Sequence, residues 1–140
     1  MAATFPFKLV TPTGVVFDGN VEEVSAIGPL GEFGVLAEHI NFITSLVPGI
    51  LTIKLSQSSF EEFLLVGGLA EVKDGVMTVL ALEAQSPATV DSAAAQSEIA
   101  PAEERLSHIS MFDPEYEEAE QAARVARVRA QINQLLRAPH

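Results

Sequence analysis

The sequence predicts a β-domain, a sandwich or a small barrel, followed by a helical hairpin. Three observations lead there. Hydrophobic residues recur with a period of two from residue 4 to about residue 83. Turn-forming pairs interrupt that pattern every few residues. Near residue 84 the texture changes: the last glycine is Gly75, and alanine then becomes frequent. Many short alternating segments with regular turn signals are the pattern of an all-β layer structure.

The elements follow in chain order. Phe5, Phe7 and Leu9 alternate with Thr4, Pro6 and Lys8, which puts one strand face in a core and the other in water. Pro12-Thr13-Gly14 and Asp18-Gly19-Asn20 are turn signals. Glycines in the stretch from Gly28 to Gly34 are expected at tight turns joining strands. Pro48-Gly49 opens another segment, in which Leu51, Ile53 and Leu55 alternate with Thr52, Lys54 and Ser56. FLLVGGLAEVKDGVMTVLAL, residues 63–82, reads as three strands, with breaks at Gly67-Gly68 and a tight hairpin at Asp74-Gly75. Gln85-Ser86-Pro87 closes the β region. The expected division is therefore 1–86 and 87–140.

The second part reads as two helices. The first spans Asp91 to His108 but contains Pro101, which predicts a break or a late start. The second starts better: Asp113 suits the cap, Pro114 the first helical position, and Glu115, Glu117 and Glu118 the positive end of the dipole. Val125, Val128, Ile132 and Leu135 form a narrow apolar stripe. A single helix from Pro114 to Arg137 would be roughly 35 Å long at about 1.5 Å per residue.

Composition removes several classes of function. A hydrophobic share of 48% in 140 residues supports a packed core and argues against disorder. A net charge of −11 argues against nucleic acid and against an anionic membrane surface. Residues 1–86 carry net −7 with only Lys as cations, and residues 87–140 carry net −4 with only Arg, which suggests two modules. The chain has no cysteine, so disulfides and thiolate metal sites are excluded. No apolar run reaches the length of a membrane span. MAATFPFKLV has no basic n-region, so a signal peptide is not expected.

GEFGVLAEHINFITSLVPG, residues 31–49, is the stretch with most chemistry in it. A phosphate loop needs a Gly-Lys-Ser/Thr opening a helix, and here Val35 and Leu36 follow with no lysine near. A zinc site needs three or four ligands, and His39 has only Glu32 and Glu38 nearby, the other histidines being His108 and His140. No serine stands in a recognisable nucleophile elbow, so catalysis by this chain alone is not expected. A docking surface or a histidine satisfied within a strand connection remain. The arginines of the last helix, Arg124, Arg127, Arg129 and Arg137, fit two readings: a solvated face, or a row that meets an acidic surface on another protein.

Order and spacing carry a resemblance over nearly the whole chain. VTPTGVVFDGNVEEVSAIGPLGEFGVLAEHINFITSLVPGIL, with Gly-Glu-Phe-Gly-Val-Leu at 31–36, His39 and Pro48-Gly49, resembles the first half of the epsilon subunit family of bacterial and chloroplast F-type ATP synthases. Val66-Gly67-Gly68-Leu69-Ala70-Glu71-Val72, then Val76-Met77-Thr78-Val79-Leu80-Ala81, is similar to its second signature. The resemblance implies a ten-stranded β-sandwich followed by an α-helical hairpin. It implies a non-catalytic rotor subunit without cofactor or metal, at the foot of the central stalk, between the gamma subunit and the c-ring. Glu32, Glu38 and His39 would then dock on the polar loops of the ring. Ala37-Glu38-His39-Ile40-Asn41 departs from the family's "LPGHAP", lacking both prolines and the glycine.

The hairpin would be regulatory. Arg124, Arg127 and Arg129 would face an acidic segment of the catalytic subunits and resist ATP hydrolysis. Some members bind ATP in this hairpin, and a nucleotide-sensing module is the alternative reading. Of that site only Asp91 and second-helix arginines such as Arg129 survive: Gln85, Ala94 and Pro101 stand where family residues would hold the nucleotide. Weak or no ATP binding is expected. The implied location is the cytoplasmic face of a bacterial inner membrane, held there through the complex and without lipid insertion.

Overall fold

The computed structural model describes residues 2–137. Ten strands form two five-stranded sheets. They are β1 Phe5–Thr11, β2 Gly14–Val21, β3 Glu23–Gly28, β4 Gly31–Leu36, β5 Phe42–Leu46, β6 Gly49–Ser56, β7 Ser59–Leu65, β8 Gly68–Lys73, β9 Val76–Ala81 and the short β10 Ala84–Gln85. One sheet has the order β2-β1-β9-β8-β5, the other β10-β7-β6-β3-β4. β1 and β9 run parallel, and the remaining pairs are antiparallel. The β-sandwich expected from the sequence is present, with a helical pair after it.

The alternation in β1 does what a period of two requires: Phe5, Phe7 and Leu9 are buried while Pro6 and Lys8 are exposed. They join Val24, Ala26, Val35, Leu51, Ile53, Leu65, Val72, Met77 and Val79 in one core between the sheets. Residues 63–82 do form three strands, and Asp74 (φ 52°) and Gly75 (φ 81°) make the two-residue β8–β9 turn. Gly68 sits at φ 151° with the Leu80 carbonyl oxygen 2.2 Å from where a Cβ would stand, so only glycine fits that strand start.

Two expectations for this region are corrected. Gly34 is not a turn residue: it lies within β4 opposite Ser25, where a Cβ would come 3.3 Å from the Glu23 carboxylate. β6 is not half-solvated: Ile50 and Thr52 are buried as well as Leu51 and Ile53. The register places Thr52 beside Glu62 and Ile50 beside Leu64, and all four are buried. The polar pair is satisfied there, since the Thr52 hydroxyl donates to Glu62 Oε2 at 2.9 Å and the Arg137 backbone N–H donates to the same oxygen at 3.0 Å.

The chain divides into two compact units, one reaching Pro87 and including Arg137, the other Ala88–Leu136. The second unit holds α1 Ser92–Ser107, α2 Tyr116–Ala130 and a single turn α3 Ile132–Leu135. α1 packs on α2. The expected break at Pro101 does not occur, and α1 runs through it. Proline removes the hydrogen bond to the Ser97 carbonyl, but both residues are exposed, so water can take its place.

The second helix is shorter than expected. Regular helix begins at Tyr116, after Asp113 has accepted from the Glu115 N–H at 2.8 Å through its side chain. It ends at Ala130, because Gln131 (φ −101°, ψ 15°) leaves helical geometry. Along the stripe, Val125 and Ile132 are buried, Val128 is half-buried and Leu135 is exposed. The buried face of α2 is instead largely alanine, at 119, 123 and 126, and α1 buries only Ala95.

Candidate docking surface

Glu32 and the Glu38–His39 pair are placed by β4, the edge strand of its sheet. Glu32 is the second residue of β4, opposite Ile27, and is exposed. Its carboxylate pairs with the Arg137 guanidinium. The β3–β4 turn beside it presents Leu30 fully to solvent.

Glu38 and His39 lie past the other end of β4, in the turn that carries the chain from the edge of one sheet to β5, the edge of the other. From Glu32 to Leu36 alone the strand runs roughly 13 Å at about 3.3 Å per residue. The three residues therefore occupy two ends of one edge and not a single cluster.

The β4–β5 turn is built in detail. Glu38 is exposed and adopts φ 65°, which is uncommon for a residue with a Cβ. His39 Nδ1 lies 2.8 Å from the Ile40 carbonyl oxygen; that oxygen can only accept, so Nδ1 donates. The imidazole packs on Phe42 at 5.0 Å, and Phe42 meets Phe33 edge-on at 5.6 Å. Both phenylalanines pack on the core, which anchors the histidine from below. Asn41 then bonds to Asp74 in the β8–β9 turn: its Oδ1 accepts from the Asp74 N–H at 2.9 Å, and its Nδ2 lies 3.5 Å from Asp74 Oδ1. This arrangement can present a carboxylate and a hydrogen-bonding imidazole edge to a polar partner. Asn41, Asp74 and the Arg137 partnership of Glu32 are not evident in the sequence; strand register is needed to find them.

In the helical unit, Arg127 reaches Glu103 of α1 at 3.0 Å, and Arg124 lies 3.9 Å from Glu120 one turn earlier on α2. Arg129 is half-buried in the last turn of α2. Asp91 caps α1, its Oδ1 accepting the Ala94 N–H at 3.0 Å, so its carboxylate has a structural task. Among the described residues no three His, Asp or Glu side chains converge as metal ligands, and no helix is long and apolar enough to cross a membrane. His140 lies outside the described residues.

Residues 4–87 match the family model described as ATP synthase, Delta/Epsilon chain, beta-sandwich domain. The ATP synthase epsilon chain of Afipia carboxidovorans is 43% identical over 106 residues, which are 76% of this chain and 77% of that one. The chain belongs to the ATP synthase epsilon-chain family. The epsilon chain of a Bradyrhizobium strain, ORS 278, is 40% identical over 105 residues, 75% of this chain and 77% of that one. Among solved structures, a chain of the Euglena gracilis mitochondrial ATP synthase (OSCP/F1/c-ring) is similar in fold, with a TM-score of 0.77 and 22% identity over 91% of this chain and 80% of that one. A chain of the Tetrahymena thermophila mitochondrial ATP synthase (central stalk/c-ring) has a TM-score of 0.64 and 16% identity over 96% and 98% of the two chains. At those identities the likeness concerns the fold. The family match covers the β-sandwich and stops where the helical unit begins.

Proposed function

We propose that this epsilon-family subunit is a non-catalytic part of the rotor stalk, coupling ion flow through the c-ring to ATP synthesis. The sandwich docks on the gamma subunit and on polar loops of the ring, using Glu32, Glu38 and His39. It stays peripheral, on the cytoplasmic face of the bacterial inner membrane, without entering lipid. The observation that carries this reading is the β4–β5 turn, where an exposed carboxylate and a histidine stand on an aromatic base at an open sheet edge. Binding of the full chain to F-type complexes stripped of this subunit tests it. Replacing Glu32, Glu38 and His39 together by Ala weakens binding at least tenfold; unchanged binding rejects the docking role.

The helical unit restrains ATP hydrolysis through Arg124, Arg127 and Arg129 facing an acidic segment of the catalytic subunits. The pairs with Glu120 and Glu103 are compatible with that, because exposed ion pairs contribute only about 0–1 kcal/mol and exchange readily. Replacing the three arginines by Ala raises hydrolysis by the reconstituted complex. If hydrolysis does not change, the arginines have no braking role.

A further inference from the structure

The turn from Ala37 to Asn41 contains neither proline nor glycine, so nothing in its own backbone chemistry stiffens it. Glu38 at φ 65° works against it, since a left-handed conformation is unfavourable for a residue with a Cβ. Left alone, such a segment would sample other shapes. The hydrogen bonds that tie it to a distant part of the sandwich run through Asn41, to a residue 33 positions away.

Register delivers this contact. β5 pairs with β8 so that Phe42 faces Val72, and the ladder ends there. One step further, Asn41 meets the Asp74 amide at the start of the Asp74-Gly75 turn. The Asn41 carboxamide supplies the acceptor that amide needs, and its NH2 group lies toward the Asp74 carboxylate. On the other side of the turn the His39 ring rests on Phe42, the residue after Asn41. Glu38 and His39 are thus held between an aromatic base and a side-chain clip.

We propose that Asn41 is a positioning residue for docking: it clips the β4–β5 turn to the β8–β9 turn and makes the two turns one preorganised surface. The inference rests on the docking role of Glu38 and His39. A partner then meets the turn in its binding shape and does not have to order it, which is where the affinity gain lies. Lys73 and Asp74, both exposed, belong to the same surface.

The test measures binding of full-length variants to F-type complexes stripped of this subunit, with amide exchange at Asp74 and the melting temperature as parallel readouts. Asn41→Ala is expected to speed Asp74 amide exchange and to weaken docking about threefold to tenfold, the weight of one net hydrogen bond. The melting temperature falls by no more than a few degrees, since a single hydrogen bond between exposed residues is lost. Asn41→Asp combined with Asp74→Asn keeps both hydrogen bonds and the net charge, and asparagine tolerates the positive φ of position 74. That exchange restores docking. Unchanged docking by Asn41→Ala, or no restoration by the exchanged pair, overturns the inference. Glu38→Ala with His39→Ala separates the levels. If that variant docks normally, the docking role fails and the inference with it. If it docks poorly while Asn41→Ala docks normally, only the inference fails.

Discussion

The two units hold themselves together by different means. The sandwich joins strands far apart in sequence around a core that includes Phe7, Leu9, Leu51, Ile53 and Met77, each at most 1% exposed. The helical unit buries mostly alanine: Ala95 on α1, and Ala119, Ala123 and Ala126 on α2, with Val125 on α2 and Ile132 on α3 as its larger buried side chains. An alanine removes far less apolar surface from water than a leucine or phenylalanine. Helices of 15 and 16 residues are marginal alone in water, so their order depends on packing that is thin here. The difference teaches that the sandwich is the rigid part, suited to carrying load, and that the helices form the low-stability unit, suited to rearrangement.

Three changes break or sharpen that comparison. The largest effect is expected from Leu51→Ala, which empties the centre of the sandwich core. It costs about 2–5 kcal/mol, read from the urea midpoint of the sandwich transition. A loss below about 1 kcal/mol would show that the core is looser than its burial implies. Next comes Ala123→Leu, at a fully buried position of α2. Overpacking there costs about 1–3 kcal/mol. Amide exchange should accelerate in α1 and α2 and stay unchanged in β1 and β9; equal acceleration in both units would mean they unfold as one.

The smallest effect is expected from Asp91→Ala, which removes the cap of α1 and costs about 1 kcal/mol, seen as faster exchange at the first turn of that helix. The same residue speaks to nucleotide binding. Its carboxylate is occupied by a backbone N–H, and Ala94 stands close by with no charge to offer a phosphate. Calorimetry with ATP should give no dissociation constant in the micromolar range for the unaltered chain. A micromolar value would revive the nucleotide-sensing alternative.

How far the sequence could be read follows the same divide. The strands are legible because alternation and turn chemistry are local: Phe5-Phe7-Leu9 and Asp74-Gly75 declare themselves. Alternation alone leaves a sandwich or a small barrel; the sandwich with its ten strands is what the resemblance to the family implies. What stays hidden is long-range. Thr52 and Glu62 look like solvent-facing residues until register pairs them and burial covers them. Asn41 and Asp74 look like ordinary turn residues until β5 aligns with β8. Helix limits fail for another reason: Pro101 is tolerated on an exposed face, and Gln131 carries no breaker signal although it ends α2. Glu32, Glu38 and His39 are all legible as candidates. That they stand at opposite ends of β4 is not, because strand boundaries decide it.

ATP hydrolysis and ATP-driven ion pumping by a subunit-depleted F-type complex test the division of labour most directly. Either the full chain or residues 1–87, which hold all ten strands, would be added back. Both should restore pumping, and only the full chain should lower the hydrolysis rate. If residues 1–87 lower hydrolysis as much as the full chain does, or if neither restores pumping, the assignment of coupling to the sandwich and restraint to the helices is wrong.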